Sequence, residues 1–231
     1  MGSSIIIKVE NVSKIYYPAI TALRNVSFEI EEGEFVSIVG KSGAGKTTLA
    51  RLILALDEPS SGRVYFKGID LNLANEQEIQ DLRRTVGAIY QDYRLFNKKT
   101  VFENLSYLLE VAGISEREIK KRVFDVLDLM GLTDKSDNFP FQLSSGEQQR
   151  LAIARALVIS PQVIIADEPT GNLDPYHTHE VISLLKKMNE EGKTVILLTH
   201  NREIVNRVKK RVITLVEGKV IRDEKEGKFI I

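Results

Sequence analysis

Apolar positions along the 231-residue chain fall into patterns that separate strands from helices. Ile5-Ile6-Ile7-Lys8-Val9 is a short apolar run, and Val26-Ser27-Phe28-Glu29-Ile30 alternates apolar and polar, so both read as strands. Lys14 to Pro18 between them reads as a loop. Phe35 to Val39 is a further strand, and Arg63 to Phe66 and Val86 to Tyr90 are shorter ones. Val163-Ile164-Ile165-Ala166 and Thr194-Val195-Ile196-Leu197-Leu198 carry no alternation, which predicts strands buried on both faces of a parallel sheet. Arg211 to Glu224 reads as a hairpin turning at Glu217-Gly218.

The helical period appears over Thr48 to Leu54, Val101 to Val111, Ser145 to Val158 and His177 to Asn189. A further helix aligns Ile119, Val123, Val126, Leu127 and Met130 on one face, and Ser115 with Glu118 predicts a capping box at its start. Between about 93 and 160, helices follow one another without a strand. This predicts an α/β fold with a helical subdomain inserted into a mainly parallel core.

Composition narrows the picture. Hydrophobic residues make up 43% of the chain, and Lys+Arg and Asp+Glu balance at 32 each, so no basic excess marks a nucleic-acid partner. Cysteine is absent, which excludes disulfides, thiolate metal sites and thiol catalysis. No apolar run approaches the ~18 residues that a membrane span requires. The start, Met1-Gly2-Ser3-Ser4, lacks a signal-peptide layout. The expected setting is cytoplasmic, with any membrane connection made through a partner.

The chemistry centres on Gly40-Lys41-Ser42-Gly43-Ala44-Gly45-Lys46-Thr47, set between a strand and the helix that opens at Thr48. Strand, glycine loop and helix in that order form a phosphate cradle: backbone N–H groups and the helix N-terminus face the anion, Lys46 reaches the terminal phosphates, and the Thr47 hydroxyl can hold Mg²⁺. Asp167 and Glu168 end a buried strand, where a cation must compensate them. Asp167 is the expected metal residue and Glu168 the expected base for the attacking water. His200 ends an equivalent strand. His177 and His179 do not share a helix face, and a metal site there is not expected.

Six blocks in order give a resemblance to ABC-type ATPase cassettes over nearly the whole length: Gly40 to Thr47 (Walker A), Gln91 (Q-loop), Leu143-Ser144-Ser145-Gly146-Glu147 (signature), Val163 to Glu168 (Walker B), Gly171-Asn172-Leu173-Asp174 (D-loop) and His200 (switch). The resemblance implies an α/β P-loop NTPase fold of ABC type, with a mainly parallel core sheet and an antiparallel β subdomain over 1–92 and 161–231, and the α-helical subdomain over 93–160. It implies ATP as substrate and Mg²⁺ as cofactor. Tyr16, with Tyr17 beside it, would stack on adenine, and Gly40 through Thr48 would hold the phosphates. Thr47, Gln91 and Asp167 would attend the metal, and Lys46, Glu168 and His200 would carry the hydrolysis. Ser144, Ser145, Gly146 and Glu147 would face the γ-phosphate held by a second copy, with Asp174 lining the seam, so that ATP closes a head-to-tail homodimer. Serine at 145 departs from the usual glycine of the signature, and glutamate at 147 from the usual glutamine.

Within the family, Gln91 to Val111, Ala166 to Pro175 and Thr199 to Phe229 resemble ATPases of bacterial cell-division complexes. Relatives in lipoprotein release and macrolide export share the Gly171-to-Asp174 block. The implied partner is an integral membrane protein, with the cassette peripheral on the cytoplasmic face and Leu95 or Phe96 in the docking groove. A DNA-maintenance clamp, the reading from another class, would need a long coiled coil between the Walker A and signature blocks, and none is present.

Overall fold

The computed structural model describes residues 4–171 and 173–229. Met1 to Ser3 and Asn172 of the D-loop block lie outside the described residues. In chain order the elements are β1 (Ile5–Tyr16), β2 (Ile20–Glu31), β3 (Phe35–Val39), α1 (Lys46–Ile53), β4 (Ser61–Phe66), β5 (Ile69–Asp70), α2 (Glu76–Thr85), β6 (Val86–Ile89), α3 (Val101–Val111), α4 (Glu116–Leu129), α5 (Ser145–Leu157), β7 (Val163–Asp167), α6 (Pro175–Glu190), β8 (Thr194–Thr199), α7 (Arg202–Val208), β9 (Arg211–Val216) and β10 (Lys219–Glu224).

The six-stranded sheet has the order β10-β9-β3-β8-β7-β6. Every pairing in it is parallel except β9 with β10. Its central strands bury both faces. Ile164, Ala166, Val195 and Leu197 pack under α3 to α6. The alternate residues Val163, Ile165, Ile196 and Leu198 pack with α1 and the second sheet. That second sheet is antiparallel, in the order β2-β1-β4-β5. Parallel strands covered on both faces cannot alternate in polarity, which is why these runs are continuously apolar.

β1 runs well past Val9 and takes in Lys14 to Tyr16, which the sequence reads as a loop. Its alternation is broken by irregular register around Asn11, whose φ is +51°. Pairing with β4 nevertheless carries it to Ser13, and pairing with β2 keeps it extended to Tyr16. The helices α2 and α7 have no counterpart in the sequence reading. α2 buries only Leu82, so its hydrophobic stripe is too thin to show, and a capping box between Asn75 and Glu78 starts it. The box expected at Ser115 is not formed. Ser115 makes no side-chain cap bond, and Glu118 instead accepts from Arg122 Nε at 2.8 Å. Boxes do form at Thr100 with Glu103 and at Ser144 with Glu147.

Candidate functional site

β3 delivers the chain into Gly40 and α1 takes it away. A Cβ at Gly40 would lie 2.5 Å from the Leu215 carbonyl oxygen, and one at Gly45 would lie 2.5 Å from that of Ala22. Gly45 also has a φ of 102° and starts α1 with no side-chain cap. Glycine is therefore required at both places by contact, and the uncapped helix start leaves N–H groups for an anion. Lys46 is only 7% exposed. Its Nζ donates to the Gly40 and Lys41 carbonyls at 2.9 and 3.3 Å and lies 3.4 Å from Glu168 Oε1.

β7 ends in the two acids. Asp167 is 8% exposed, and its Oδ1 has no hydrogen-bond partner. Burial pushes this carboxyl above its ordinary value, opposed by a hydrogen bond from the Thr47 side chain. A hard divalent cation beside Thr47 would satisfy that oxygen. Among the described residues no three His, Cys, Asp or Glu side chains group to hold a metal by themselves. The donor set fits an ion that draws its other oxygens from phosphate and water.

Glu168 follows in a left-handed conformation, φ +47°, which turns it away from the strand path. Its Oε2 accepts from Thr199 Oγ1 at 3.1 Å, and its Oε1 lies 2.6 Å from His200 Nδ1. The ends of β3, β7 and β8 thus place Lys46, Glu168 and His200 in one contact network. This is the carboxyl end of the parallel strands, where open α/β sheets bind ligands.

Tyr16 closes β1 opposite Ile20. Its hydroxyl donates to Asp57 Oδ2 at 2.8 Å, and the Lys14 ammonium lies 5.0 Å from its ring centroid. Burial of Asp57 works against its charge, but hydrogen bonds from Lys14 and Tyr16 prevail and hold its carboxyl below the ordinary range. The Tyr16 ring is therefore anchored at its phenol end, whereas Tyr17 is 96% exposed.

Gln91 follows β6, and a Cβ on Gly171 would lie 3.3 Å from its Nε2. The next residues take unusual backbone conformations: Tyr93 and Arg94 have φ of 58° and 50°. Arg155, on α5, holds them there, donating to the Tyr93 and Arg94 carbonyls at 3.1 and 2.5 Å. The sequence reading passes over Arg155. The available signal is an arginine inside the apolar run Ala152-Ile153-Ala154-Arg155-Ala156-Leu157. It also passes over Asn104, wholly buried on α3, whose side chain bonds Phe96 N and the carbonyls of Phe96, Lys99 and Thr100.

At the start of α5 the cap is Ser144, with Ser145 as the first, exposed helical residue. Glu147 N donates to Ser144 Oγ at 3.3 Å, and Glu147 Oε2 accepts from Ser144 N at 2.8 Å. The backbone and hydroxyl of Ser144 together hold the Glu147 carboxyl below its ordinary value. Asp174 caps α6, accepting from the backbone of Tyr176 and His177.

Residues 23–171 match the ABC transporter family, and the chain belongs to that family of ATP-binding cassettes, an ATPase class. Among particular proteins it is similar to the cell division ATP-binding protein FtsE of Streptococcus pneumoniae, 48% identical over 97% of each chain. FtsE of Bacillus subtilis is 48% identical over 96% of this chain and 98% of its own length. Among solved structures, a dimeric bacterial ABC transporter cassette matches with a TM-score of 0.89 and 41% identity, covering 97% of this chain and all of that one (100%). A dimeric post-hydrolysis state of an ATP-binding cassette bound to ADP and Pi matches with a TM-score of 0.88 and 39% identity over 97% and 100% of the chains.

Proposed function

We propose that this chain is the ATP-hydrolysing subunit of a cell-division complex, working as an ATP-closed head-to-tail homodimer on an integral membrane partner of the FtsX kind and so governing peptidoglycan hydrolases. The observation that carries the hydrolytic part is the network of Lys46, Glu168, Thr199 and His200 at one end of the sheet. The similarity to FtsE proteins over nearly the full length supports the cell-division part. Among the described residues no helix is long and apolar enough to cross a membrane, which agrees with a peripheral place on a membrane partner at the cytoplasmic face. No nucleic-acid partner is proposed, since positive and negative side chains balance.

In this reading Tyr16 stacks on adenine, while Gly40 through Thr48 wrap the phosphates and Lys46 binds the terminal ones. Thr47, Asp167 and Gln91 would hold Mg²⁺, which when bound would neutralise phosphate charge. Glu168 accepts a proton from the attacking water, and His200 steadies the Glu168 carboxylate beside the γ-phosphate. Ser144, Ser145, Gly146 and Glu147 of a second copy close the site, with Asp174 at the seam. Residues 93–160 form the helical subdomain, which turns against the core of 1–92 and 161–231. Leu95 packs against the core, and Phe96 is partly exposed and set edge-on to Tyr107 at 5.4 Å, so Phe96 is the better docking residue.

Affinity capture from native membranes, with mass spectrometry of what accompanies the chain, tests the partnership. Recovery of an integral membrane protein is expected, and capture of the cassette alone from intact membranes would refute it.

A further inference from the structure

The ring of His177 lies between two of the segments assigned to the nucleotide seam. On one side its Nδ1 is 2.5 Å from Asp174 Oδ2, while Asp174 Oδ1 accepts from the backbone N–H groups of Tyr176 and His177. On the other side the ring covers Gly146, the second residue of α5: a Cβ there would lie 3.2 Å from Cδ2 and 3.2 Å from Nε2. Tyr176 stands edge-on to the ring at 5.5 Å. Beside this contact lies an open cleft of about 710 Å³ lined in part by Arg150, Ile153, Val181 and Leu184. His177 thus joins the starts of α5 and α6 at the mouth of that cleft.

We propose that His177 is a positioning residue that couples the signature helix to Asp174, so that the two segments present one fixed surface to a second copy. The proposal rests on the reading of Ser144 to Glu147 and Asp174 as seam residues. It also gives Gly146 a reason to be glycine in this chain that is separate from phosphate approach. Gly146 does not have a positive φ, so alanine suits the helix backbone there, and the His177 ring is what crowds it.

The experiment is a double-mutant cycle on the full-length chain, read as steady-state kcat for ATP. His177→Asn keeps a donor near the Nδ1 place but removes the ring from Gly146. Gly146→Ala is expected to lower kcat in the wild-type background and to cost about tenfold less in the His177→Asn background, because the crowding partner is gone. Equal losses in both backgrounds would overturn the proposal.

His177→Ala supplies a second readout. In the otherwise wild-type chain it is expected to lower kcat, with the monomer's affinity for ATP and its Tm near wild type, and combined with Glu168→Gln it is expected to weaken ATP-driven dimerisation relative to Glu168→Gln alone. Unchanged kcat and dimerisation would overturn the proposal, and so would a parallel loss of Tm and ATP affinity. If Glu168→Gln alone fails to dimerise with ATP, the head-to-tail reading fails, whereas the kcat cycle still judges His177.

Discussion

Glu168→Gln tests the centre of the site in two ways. In the structure Glu168 Oε1 is 3.4 Å from Lys46 Nζ, and both side chains are nearly sealed from water. At that distance two unit charges attract by about 5 kcal/mol at an effective dielectric near 20. The carbonyls of Gly40 and Lys41 still hold the ammonium when the carboxylate is neutralised, so the share lost is about 2 kcal/mol. A terminal phosphate must compete with Glu168 for Lys46, and its negative charge also meets that carboxylate. Both effects vanish in the variant. ATP should therefore bind roughly 30-fold more tightly, the equivalent of about 2 kcal/mol, while the nucleotide-free Tm falls by about 6 °C. Turnover should drop at least ~100-fold, since the proposed proton acceptor is gone, and the ATP-bound variant should accumulate as a dimer. Calorimetric titration with ATP, thermal melts with and without ATP, and light scattering read these quantities. Unchanged or weaker ATP affinity with an unchanged Tm would refute the view that the Lys46–Glu168 pair opposes nucleotide in the free chain. Wild-type turnover would remove Glu168 as the base.

Asn104→Ala should strip the bonds that pin 96–100 to α3 and leave buried backbone groups unpaired, lowering stability by about 3 kcal/mol and Tm by about 9 °C, read by differential scanning calorimetry. Arg155→Lys keeps the charge but loses the planar fork that spans the Tyr93 and Arg94 carbonyls. It should lower kcat severalfold in a steady-state ATPase assay, with about 1 kcal/mol lost in denaturant melts. Phe96→Glu should abolish recruitment to membranes in a flotation assay while ATP affinity stays at wild type.

How much of this was legible in the sequence depended on how local each signal was. The P-loop, the buried strands and the helix of Val101 to Val111 each announce themselves within a short window through residue type, period or length. β1 beyond Val9 could not be read in this way. Its extension comes from pairing with β4 as far as Ser13 and with β2 to Tyr16, and the break near Asn11 erases the alternation. α2 was hidden because one buried leucine makes no stripe. The Ser115 box failed for a different reason. The pattern was present, but an i,i+4 arginine competes for the same glutamate and holds it. In the candidate site, Lys46, Asp167, Glu168 and His200 are singled out by motif and strand end, and the structure brings Lys46, Glu168 and His200 into contact. Arg155 and Asp57 act through backbone carbonyls or a phenol that lie far away in sequence, and no spacing rule records such contacts, while Asn104 bonds the irregular segment 96–100 just before its own helix, where no periodic pattern marks a partner.

The residues missed by sequence also explain how the site could act on something outside itself. α5 spans 13 residues, about 20 Å of helix. At its last turn Arg155 grips the segment that follows Gln91, and at its first turn Gly146 lies under His177. Between them Leu151, Ala152, Ile153 and Ala154 are buried, so the helix has little freedom to bend. A displacement of the segment after Gln91 therefore has to reach the signature end as motion of the whole helix. Phe96 is attached to the same grip, since the Arg155 guanidinium lies 5.2 Å from its ring centroid. The side chain proposed to meet the membrane partner and the helix proposed to meet the second copy are thus held by one arginine. Coupling between nucleotide and partner then requires only that α5 have two positions and that ATP favour one of them.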